Sequence, residues 1–408
     1  MTVDKIAPQP WMTKPETGAV IAALEGGGYT ARFVGGCVRD TLLSRSIGDI
    51  DIATDALPDA VLKCIEDAGL RAIPTGLAHG TITAVAGGTS YEITTLRHDV
   101  ETDGRRAKVQ FTDDWEGDAA RRDLTINAMS MAPDGTLYDP FDGRADLAAG
   151  RIRFVGNAHD RIVEDVLRLL RYFRFYAHYG APPSDTTALG ACRALASRLP
   201  SLSGERVRVE VLKLLAAPNP LPTLVLMQET NVLQAFLPEA VALSDLERLV
   251  TIEADHALAV DAIRRLTILL DSDIKALAQV ADRLRLSNAE RGYLLMIATE
   301  TVSPALGAAA LRRIIYRLGA GSFRELVLLG WAREGTNSGW PTLLNLADNW
   351  TPKTFPVNGV DVLERGVASG PAVGDLLQSV EAWWIDGEFA ASHDECLARL
   401  DQKIAKRG

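Results

Sequence analysis

The chain has 408 residues, of which 47% are hydrophobic, and a formal net charge of −10 at pH 7. This length and composition suit a globular protein of about two to four compact units. The negative charge argues against indiscriminate binding to nucleic acid, because contacts to phosphate need lysine and arginine. No apolar run reaches the roughly 18 residues of a membrane span, and the N-terminus lacks the apolar core of a signal peptide. We expect neither a membrane span nor secretion.

The four cysteines are scattered along the chain, without the spacing of a disulfide framework or of a zinc site. Unpaired cysteines are typical of a reducing compartment. We therefore predict a cytoplasmic protein.

The N-terminal part alternates short β-like runs with helical patterns, which is typical of a small α/β domain. Two of the predicted strands flank Gly87-Gly88 and should form a hairpin. The predicted elements are a strand at residues 32–34, a helix from Val38, a strand at residues 47–53, a helix between Pro58 and Gly69, and strands at residues 81–86 and 90–95.

The chain changes character after these elements. Residues 96–110 are polar and charged and too long for a tight connection, so we predict a mobile loop there. Residues 118–131 have the apolar spacing of a helix, and the chain beyond residue 160 is a series of amphipathic helices. Between Arg151 and Lys213 the sequence holds eleven basic and six acidic residues, which indicates either a solvated helix face or a surface for phosphate.

Asp49 and Asp51 are the first candidates for chemistry. Strand alternation places both carboxylates on one face, while Ile50 and Ile52 point into the core. Two neighbouring carboxylates repel each other unless a cation lies between them, which indicates a Mg²⁺ site. Asp-x-Asp is common by chance, however, so this interpretation depends on the residues around it.

Those residues are Gly35 and Gly36, which follow a strand and precede a helix about ten positions before the aspartates. Glycines let a phosphate approach the backbone, and Arg39 one turn into the helix can donate to it. We therefore predict a site for a nucleoside triphosphate with two metal ions. Glu92, on a neighbouring predicted strand, is either a third metal ligand or a solvated glutamate.

Further along, Arg122, Asp123 and Asn127 form a second candidate group for nucleotide binding. Arg122 and Asn127 are five positions apart and could reach the sugar and the phosphates together. The alternative is a charged helix start with a local cap.

A third group is Asp165, Arg168, Arg171 and Arg174, whose spacing of three keeps them on one face of a predicted helix. One interpretation is a salt-bridged surface. The other is that Asp165 and Arg168 read a base edge, the carboxylate accepting from an exocyclic amino group and the guanidinium donating to a ring nitrogen. Cytosine and adenine present that order of donor and acceptor, whereas uracil and guanine present the reverse. Such a pair would select C and A.

Together these residues resemble the class II tRNA nucleotidyltransferases, the CCA-adding enzymes of the polymerase β superfamily. The motifs that carry the resemblance are Val34-Gly35-Gly36-Cys37-Val38-Arg39-Asp40, the pair Asp49 and Asp51, His79-Gly80-Thr81-Ile82-Thr83, residues 121–128, Glu164-Asp165-x-x-Arg168 and Ser203-Gly204-Glu205-Arg206.

The resemblance implies an α+β protein with a nucleotidyltransferase head built on a mixed sheet, followed by an all-α neck, body and tail. We expect the head at residues 1–150, with the flexible loop at 96–110, the neck at 151–230, and the body and tail at 231–408. It also implies that Asp49 and Asp51 bind Mg²⁺ and that the remaining candidates bind the nucleotide. Those are Gly35, Gly36, Arg39, Arg122, Asp123, Asn127, Asp165, Arg168, Arg171 and Arg174.

The activity implied is addition of C, C and A to the 3′ end of tRNA from CTP and ATP, with contacts to the acceptor end and upper arm and with no DNA or membrane partner. Bacterial poly(A) polymerases share the head, but they carry a basic run where this chain has residues 75–80. Enzymes that add only CC tend to lack the loop at 96–110. A binding protein without catalysis would have lost one of the two aspartates, and both are present. Complete CCA addition is therefore favoured over these alternatives.

Overall fold

The computed structural model describes residues 4–103, 106–270 and 273–406. The chain divides into two compact units. The N-terminal unit comprises Met1–Ala240 together with Arg283–Arg285, and the C-terminal unit comprises Val241–Asp282 and Leu286–Gly408. Within the described residues, no helix combines the length and the apolar character that crossing a membrane requires.

Among the described residues, all strands lie in the N-terminal unit. They are β1 (Asp4–Lys5), β2 (Ala31–Val34), β3 (Ile50–Thr54), β4 (Arg71–Gly76), β5 (Thr81–Ala86), β6 (Thr89–Thr95), β7 (Arg97–Asp103), β8 (Arg106–Phe111), β9 (Ser130–Met131) and β10 (Thr136–Tyr138). Eight of them form one sheet in the order β1-β10-β9-β2-β3-β6-β5-β4, and β7 pairs with β8 separately. Strands β3 and β6 are parallel and the other neighbours are antiparallel, so the predicted mixed sheet is confirmed.

Helices make up the rest of both units, which confirms the predicted α+β class. The N-terminal unit holds α1 (Pro15–Gly26), α2 (Gly36–Leu42), α3 (Pro58–Asp67), α4 (Trp115–Ala120), α5 (Gly143–Ala148), α6 (Ala158–Glu164), α7 (Leu167–Tyr179), α8 (Thr186–Leu195), α9 (Gly204–Leu215), α10 (Leu221–Glu229) and α11 (Val232–Phe236), with 3-10 turns at Leu77–His79, Thr125–Asn127 and Ala196–Ser201. The following helices are α12 (Leu243–Asp255), α13 (Ala262–Leu269), α14 (Ile274–Arg283), α15 (Asn288–Thr299), α16 (Ala308–Glu334), α17 (Trp340–Asp348), α18 (Gly359–Leu363), α19 (Pro371–Asp386) and α20 (His393–Ala405).

The alternation of β3 decides which face of the sheet is buried. Ile50 and Ile52 are buried in the core, as predicted, and Asp51 between them faces the other way. Helices α1 and α3 contact the sheet, and both bury apolar side chains. The predicted hairpin is also confirmed, because Gly87 and Gly88 both take the positive φ that its tight turn needs.

Two predicted elements of the head are wrong. Residues 96–110 were expected to form a loop, but β7 and β8 pair there as a second hairpin, which backbone hydrogen bonds stabilise without an apolar sequence. Whether residues 96–110 are mobile stays a prediction. Residues 118–131 do not form one helix, since α4 ends at Ala120 and the chain continues as a 3-10 turn and β9.

The reason for the second failure is tertiary hydrogen bonding. The backbone N–H of Thr125 donates to the carbonyl of Arg153 at 3.0 Å, and that of Val155 donates to the carbonyl of Asp123 at 3.0 Å. These bonds replace the ones that a continuous helix would make within itself, so packing overrides the helical spacing of the apolar residues.

The core of the C-terminal unit contains a buried cluster of charges. Glu253 is 2% exposed and accepts from Arg264 Nη1 at 2.8 Å and from Arg265 Nε at 2.8 Å. Arg264 also donates to Glu325. The Glu253 carboxylate is thus shared by two buried guanidinium groups and joins α12 to α13.

We expect Glu253→Ala to lower the free energy of unfolding of the C-terminal unit by about 3–5 kcal/mol, because it removes the buried carboxylate that the two guanidinium groups share. Calorimetry of the whole chain measures this as a fall in the melting temperature of one transition. Glu247→Ala, an exposed change on the same helix, is the control. Equal melting curves for the two variants would contradict the role of this cluster.

Candidate active site

The two aspartates of the predicted metal site lie at the start of β3. The strand begins at Ile50, three residues later than predicted, so Asp49 is exposed just before it and Asp51 is half-buried within it. Glu92 is the parallel partner of Asp51 in β6 and therefore shares its face of the sheet. The structure thus places Glu92 beside Asp51, with Asp49 one residue before the strand.

The surroundings of Asp51 make its negative charge costly. Burial, the nearby Glu92 and, more weakly, Asp49 raise the pKa of Asp51 to about 6, although Arg122 acts in the opposite direction. A carboxylate under this repulsion gains most from a bound cation.

The glycine turn lies directly beside this carboxylate. Gly35 has φ 69° and ψ −126°, a backbone conformation that residues with a Cβ rarely adopt. A Cβ at Gly35 would lie 3.6 Å from Asp51 Oδ2 and 3.7 Å from Arg122 Nη1, and one at Gly36 would lie 3.7 Å from Arg39 Nη2. The missing side chains therefore leave space next to an acidic and two basic groups.

Arg122 is held in that space by Asp118. Asp118 is 3% exposed and accepts from Arg122 Nη2 at 3.2 Å, while its other oxygen accepts from Arg121 at 2.8 Å. Burial would raise the pKa of Asp118, but Arg122 and Arg121 lower it below its ordinary value. An ionised Asp118 fixes both guanidinium groups at the end of α4.

Arg39 lies near the glycine turn, but it makes its hydrogen bonds within the protein. Its Nη1 donates to Asn127 Oδ1 at 2.7 Å, its other nitrogens donate to Asp40, and its guanidinium carbon lies 4.3 Å from the ring centroid of Tyr179. It is 8% exposed. The described contacts of Arg39 are thus with the protein, and direct contact with a nucleotide stays a prediction.

Asp123 connects the same group to α7. It accepts from Asn127 Nδ2 at 3.1 Å and from Arg171 Nε at 2.6 Å. Burial would raise the pKa of Asp123, but Arg171 and these hydrogen bonds lower it. Arg171 and Arg174 also approach Glu210 of α9, at 4.0 and 3.2 Å.

Asp165 does not lie in the helix that the sequence predicted. Helix α6 ends at Glu164 and α7 begins at Leu167, and Asp165 between them has extended φ −150° and ψ 108°. Its carboxylate accepts from the N–H of Leu167 at 3.1 Å and from Arg206 at 2.6 Å. Asp165 therefore caps the start of α7, and the predicted four-residue face of one helix is wrong at this position.

Arg168 lies in the first turn of α7 and connects this helix to the segment that carries Arg121. Its Nη1 donates to Glu164 at 2.5 Å and its Nη2 to the carbonyl of Arg121 at 3.1 Å. It lies three residues after Asp165 at the same helix start. The two predicted base-reading residues are thus close in sequence and beside the Arg121 and Arg122 segment.

The donor chemistry of this site fits magnesium. Carboxylate oxygens are the ligands that Mg²⁺ prefers, and it commonly uses one or two of them together with phosphates of the substrate. Asp49 and Asp51 supply such a pair, and a cation bound there would offset the burial and the repulsion that raise the pKa of Asp51. Among the described residues, no three His, Cys, Asp or Glu side chains form a complete ligand set.

A carboxylate pair at the start of an interior strand of a mixed sheet, beside a glycine turn and an arginine, is typical of a nucleotidyltransferase head. A family model described as the poly A polymerase head domain matches residues 31–153. A second model, described as a probable RNA and SrmB-binding site of polymerase A, matches residues 185–243.

Proteins that match most of the chain show to which family of nucleotidyltransferases it belongs. The mitochondrial CCA tRNA nucleotidyltransferase 1 of Danio rerio is 36% identical over 92% of this chain and 88% of its own. The CCA-adding enzyme of Levilactobacillus brevis is 34% identical over 91% of this chain and 93% of its own. The crystal structure of the Bacillus stearothermophilus CCA-adding enzyme in complex with CTP superposes with a TM-score of 0.74 and 30% identity, covering 97% of this chain and 99% of that one. The chain belongs to the family of CCA-adding tRNA nucleotidyltransferases, which confirms the resemblance seen in its motifs.

Sequence reasoning missed several residues that position the site. Asp118, Glu210 and Arg206 each hold a predicted site residue, although no role was assigned to them. A signal was present for the last two, since Arg206 and Glu210 are four residues apart on α9 and opposite in charge to the groups they meet. Asp118 also gave a signal, since Arg121 and Arg122 follow it by three and four residues, the spacing of ion pairs on a helix.

Asp51→Asn is expected to stabilise the N-terminal unit in magnesium-free buffer at pH 7.5, by at most about 3 kcal/mol. The pKa of Asp51 is about 6 in the folded protein against an ordinary value of 3.8. Its destabilising effect is therefore absent below pH 3.8, grows as the pH rises to about 6, and is constant above that.

Melting temperatures between pH 4 and 7.5 measure this effect. The advantage of Asp51→Asn should appear only as the pH rises, and added magnesium should reduce it by stabilising the unsubstituted protein. Asp59→Asn, an exposed change on α3, is the control. An advantage that does not change with pH would contradict the raised pKa.

Proposed function

We propose that this chain adds C, C and A in turn to the 3′ end of tRNA, from CTP and ATP and with release of diphosphate, and that the residues described above carry the reaction. The observation that carries the proposal is the connection between the carboxylate site and α7. Arg168 bonds to the carbonyl of Arg121, Arg171 bonds to Asp123, and Arg122 lies beside Gly35 and Asp51. A base read at the start of α7 would have its phosphates near the carboxylates.

The residue roles follow from chemistry. Asp49 and Asp51 would hold Mg²⁺, which when bound favours the ionised 3′-hydroxyl and neutralises charge on the triphosphate. Gly35 and Gly36 leave room for the phosphates, and Arg122 donates to them. Glu92 is proposed only as a further acidic neighbour that strengthens the attraction for the cation.

Selection of the base is assigned to Asp165 and Arg168. The carboxylate accepts from the exocyclic amino group of C or A, and the guanidinium donates to the adjacent ring nitrogen. Uracil and guanine would set donor against donor and acceptor against acceptor. The contacts of Arg39, Asp123, Asn127, Arg171 and Arg174 support a different role from the one predicted, in which they fix α7 against the head rather than contact the nucleotide themselves.

We place the reaction in the cytoplasm, or in another compartment that keeps thiols reduced. All four cysteines are free, and three of them are buried. The relatives include mitochondrial and bacterial enzymes, and fractionation of cells that express the chain tests the cytoplasmic location.

Three RNA substrates test the activity: a tRNA that ends before CCA, the same tRNA ending in CC, and an unrelated RNA. With CTP, ATP and magnesium, we expect three added nucleotides on the first, one on the second and none on the third, as measured by sequencing the products. Long A-tails on all three would identify a poly(A) polymerase instead. Growth of the first substrate by only two nucleotides would identify a CC-adding enzyme.

Asp49→Asn and Asp51→Asn are each expected to lower kcat by about a thousandfold or more, because each removes a ligand that the cation needs to stabilise developing charge. Binding of tRNA, measured by filter retention, should change little. Asp59→Asn on α3 is again the matched control. Normal turnover by either site variant would contradict the assignment of the metal ligands.

A further inference from the structure

The carboxylate of Asp165 is oriented by two donors from the protein. Oδ1 accepts from the N–H of Leu167 at 3.1 Å, and Oδ2 accepts from Arg206 Nη2 at 2.6 Å. A carboxylate has about four lone-pair positions, so two directions stay open for a ligand. Because the bond to Leu167 fixes one oxygen and that to Arg206 fixes the other, the plane of the group is fixed as well.

Arg206 is itself placed by its helix. Helix α9 packs along α7, and one turn after Arg206 the buried Glu210 faces Arg174 at 3.2 Å and Arg171 at 4.0 Å. Along α9, the cation Arg206 thus meets the anion Asp165, and one turn later the anion Glu210 meets the cations Arg171 and Arg174. This alternation sets the register of the two helices and brings Arg206 to Asp165 with only about a quarter of each side chain exposed.

We propose that Arg206 is a positioning residue for base selection, which orients the Asp165 carboxylate towards the exocyclic amino group of C or A without contacting the nucleotide. The inference rests on the proposed role of Asp165. A carboxylate that can rotate also accepts from the ring N–H of uracil or guanine, so loss of the orientation admits the wrong bases. Binding sites of this kind tolerate only about 0.5 Å and 10–20° of misplacement.

The experiment measures kcat/KM for each of the four nucleoside triphosphates on tRNA that ends before CCA. Arg206→Ala should lower the preference for CTP over UTP by about tenfold or more, the range expected for one hydrogen-bonded base contact. Arg206→Lys, which keeps the charge but not the planar geometry, should give an intermediate preference. Lys213→Ala removes an exposed cation from the same helix and should leave the preference unchanged.

A double-mutant cycle shows whether Arg206 acts through Asp165. If it does, Asp165→Ala abolishes the preference, and adding Arg206→Ala to that variant changes nothing further. The selectivity ratio is measured on active enzyme, so a general loss of stability that slows all four nucleotides equally does not imitate this result.

Three outcomes would overturn the inference. One is an unchanged preference in Arg206→Ala when Asp165→Ala has lost it. Another is that the effects of Arg206→Ala and Asp165→Ala on the preference for CTP over UTP are fully additive in the double variant. The third is a raised KM for tRNA with unchanged selectivity, which would make Arg206 a contact to RNA phosphate. An unchanged preference in Asp165→Ala overturns the base-reading proposal as well, so the two failures are distinguishable.

Discussion

The ion pair between Arg171 and Asp123 is the contact on which the geometry of the site depends. It joins α7, where we place base selection, to the segment that carries Arg122 and Asn127. The Asp123 side chain is only 7% exposed, so losing Arg171 would leave a buried carboxylate without this cation. A strong, specific bond at this point keeps the start of α7 at a fixed distance from the carboxylates of β3.

Pairing between arginines and carboxylates also accounts for many of the basic residues between Arg151 and Lys213. The excess of positive residues in this stretch indicated either a solvated helix face or a surface for phosphate, and many of its arginines have carboxylate partners within the protein. Arg161 and Arg168 share Glu164, Arg174 meets Glu210, and Arg206 meets Asp165. The positive charge is therefore used mainly to orient side chains, and only the remaining cations are available to attract RNA.

The sequence predicted the chemistry of the head better than its local geometry. Alternation in β3 and the Gly87-Gly88 turn were read correctly because they depend on neighbours in the chain. The helix over residues 118–131 was wrong, because tertiary backbone bonds join this segment to Arg153 and Val155. Asp165 was placed in a helix for a similar reason: its spacing fitted, but the break before Leu167 is set by a carboxylate cap and by Arg206 on α9.

The spacing of Arg206 and Glu210 limits how α9 can change. One inserted residue between them would turn the second contact about 100° around the helix axis, and the pairs with Asp165 and Arg174 could not form together. Exposed positions such as Lys213 carry no such restriction. The outer face of α9 can therefore change in composition. The number of residues in its first two turns cannot, because Asp165 and Arg174 fix the separation of their partners Arg206 and Glu210.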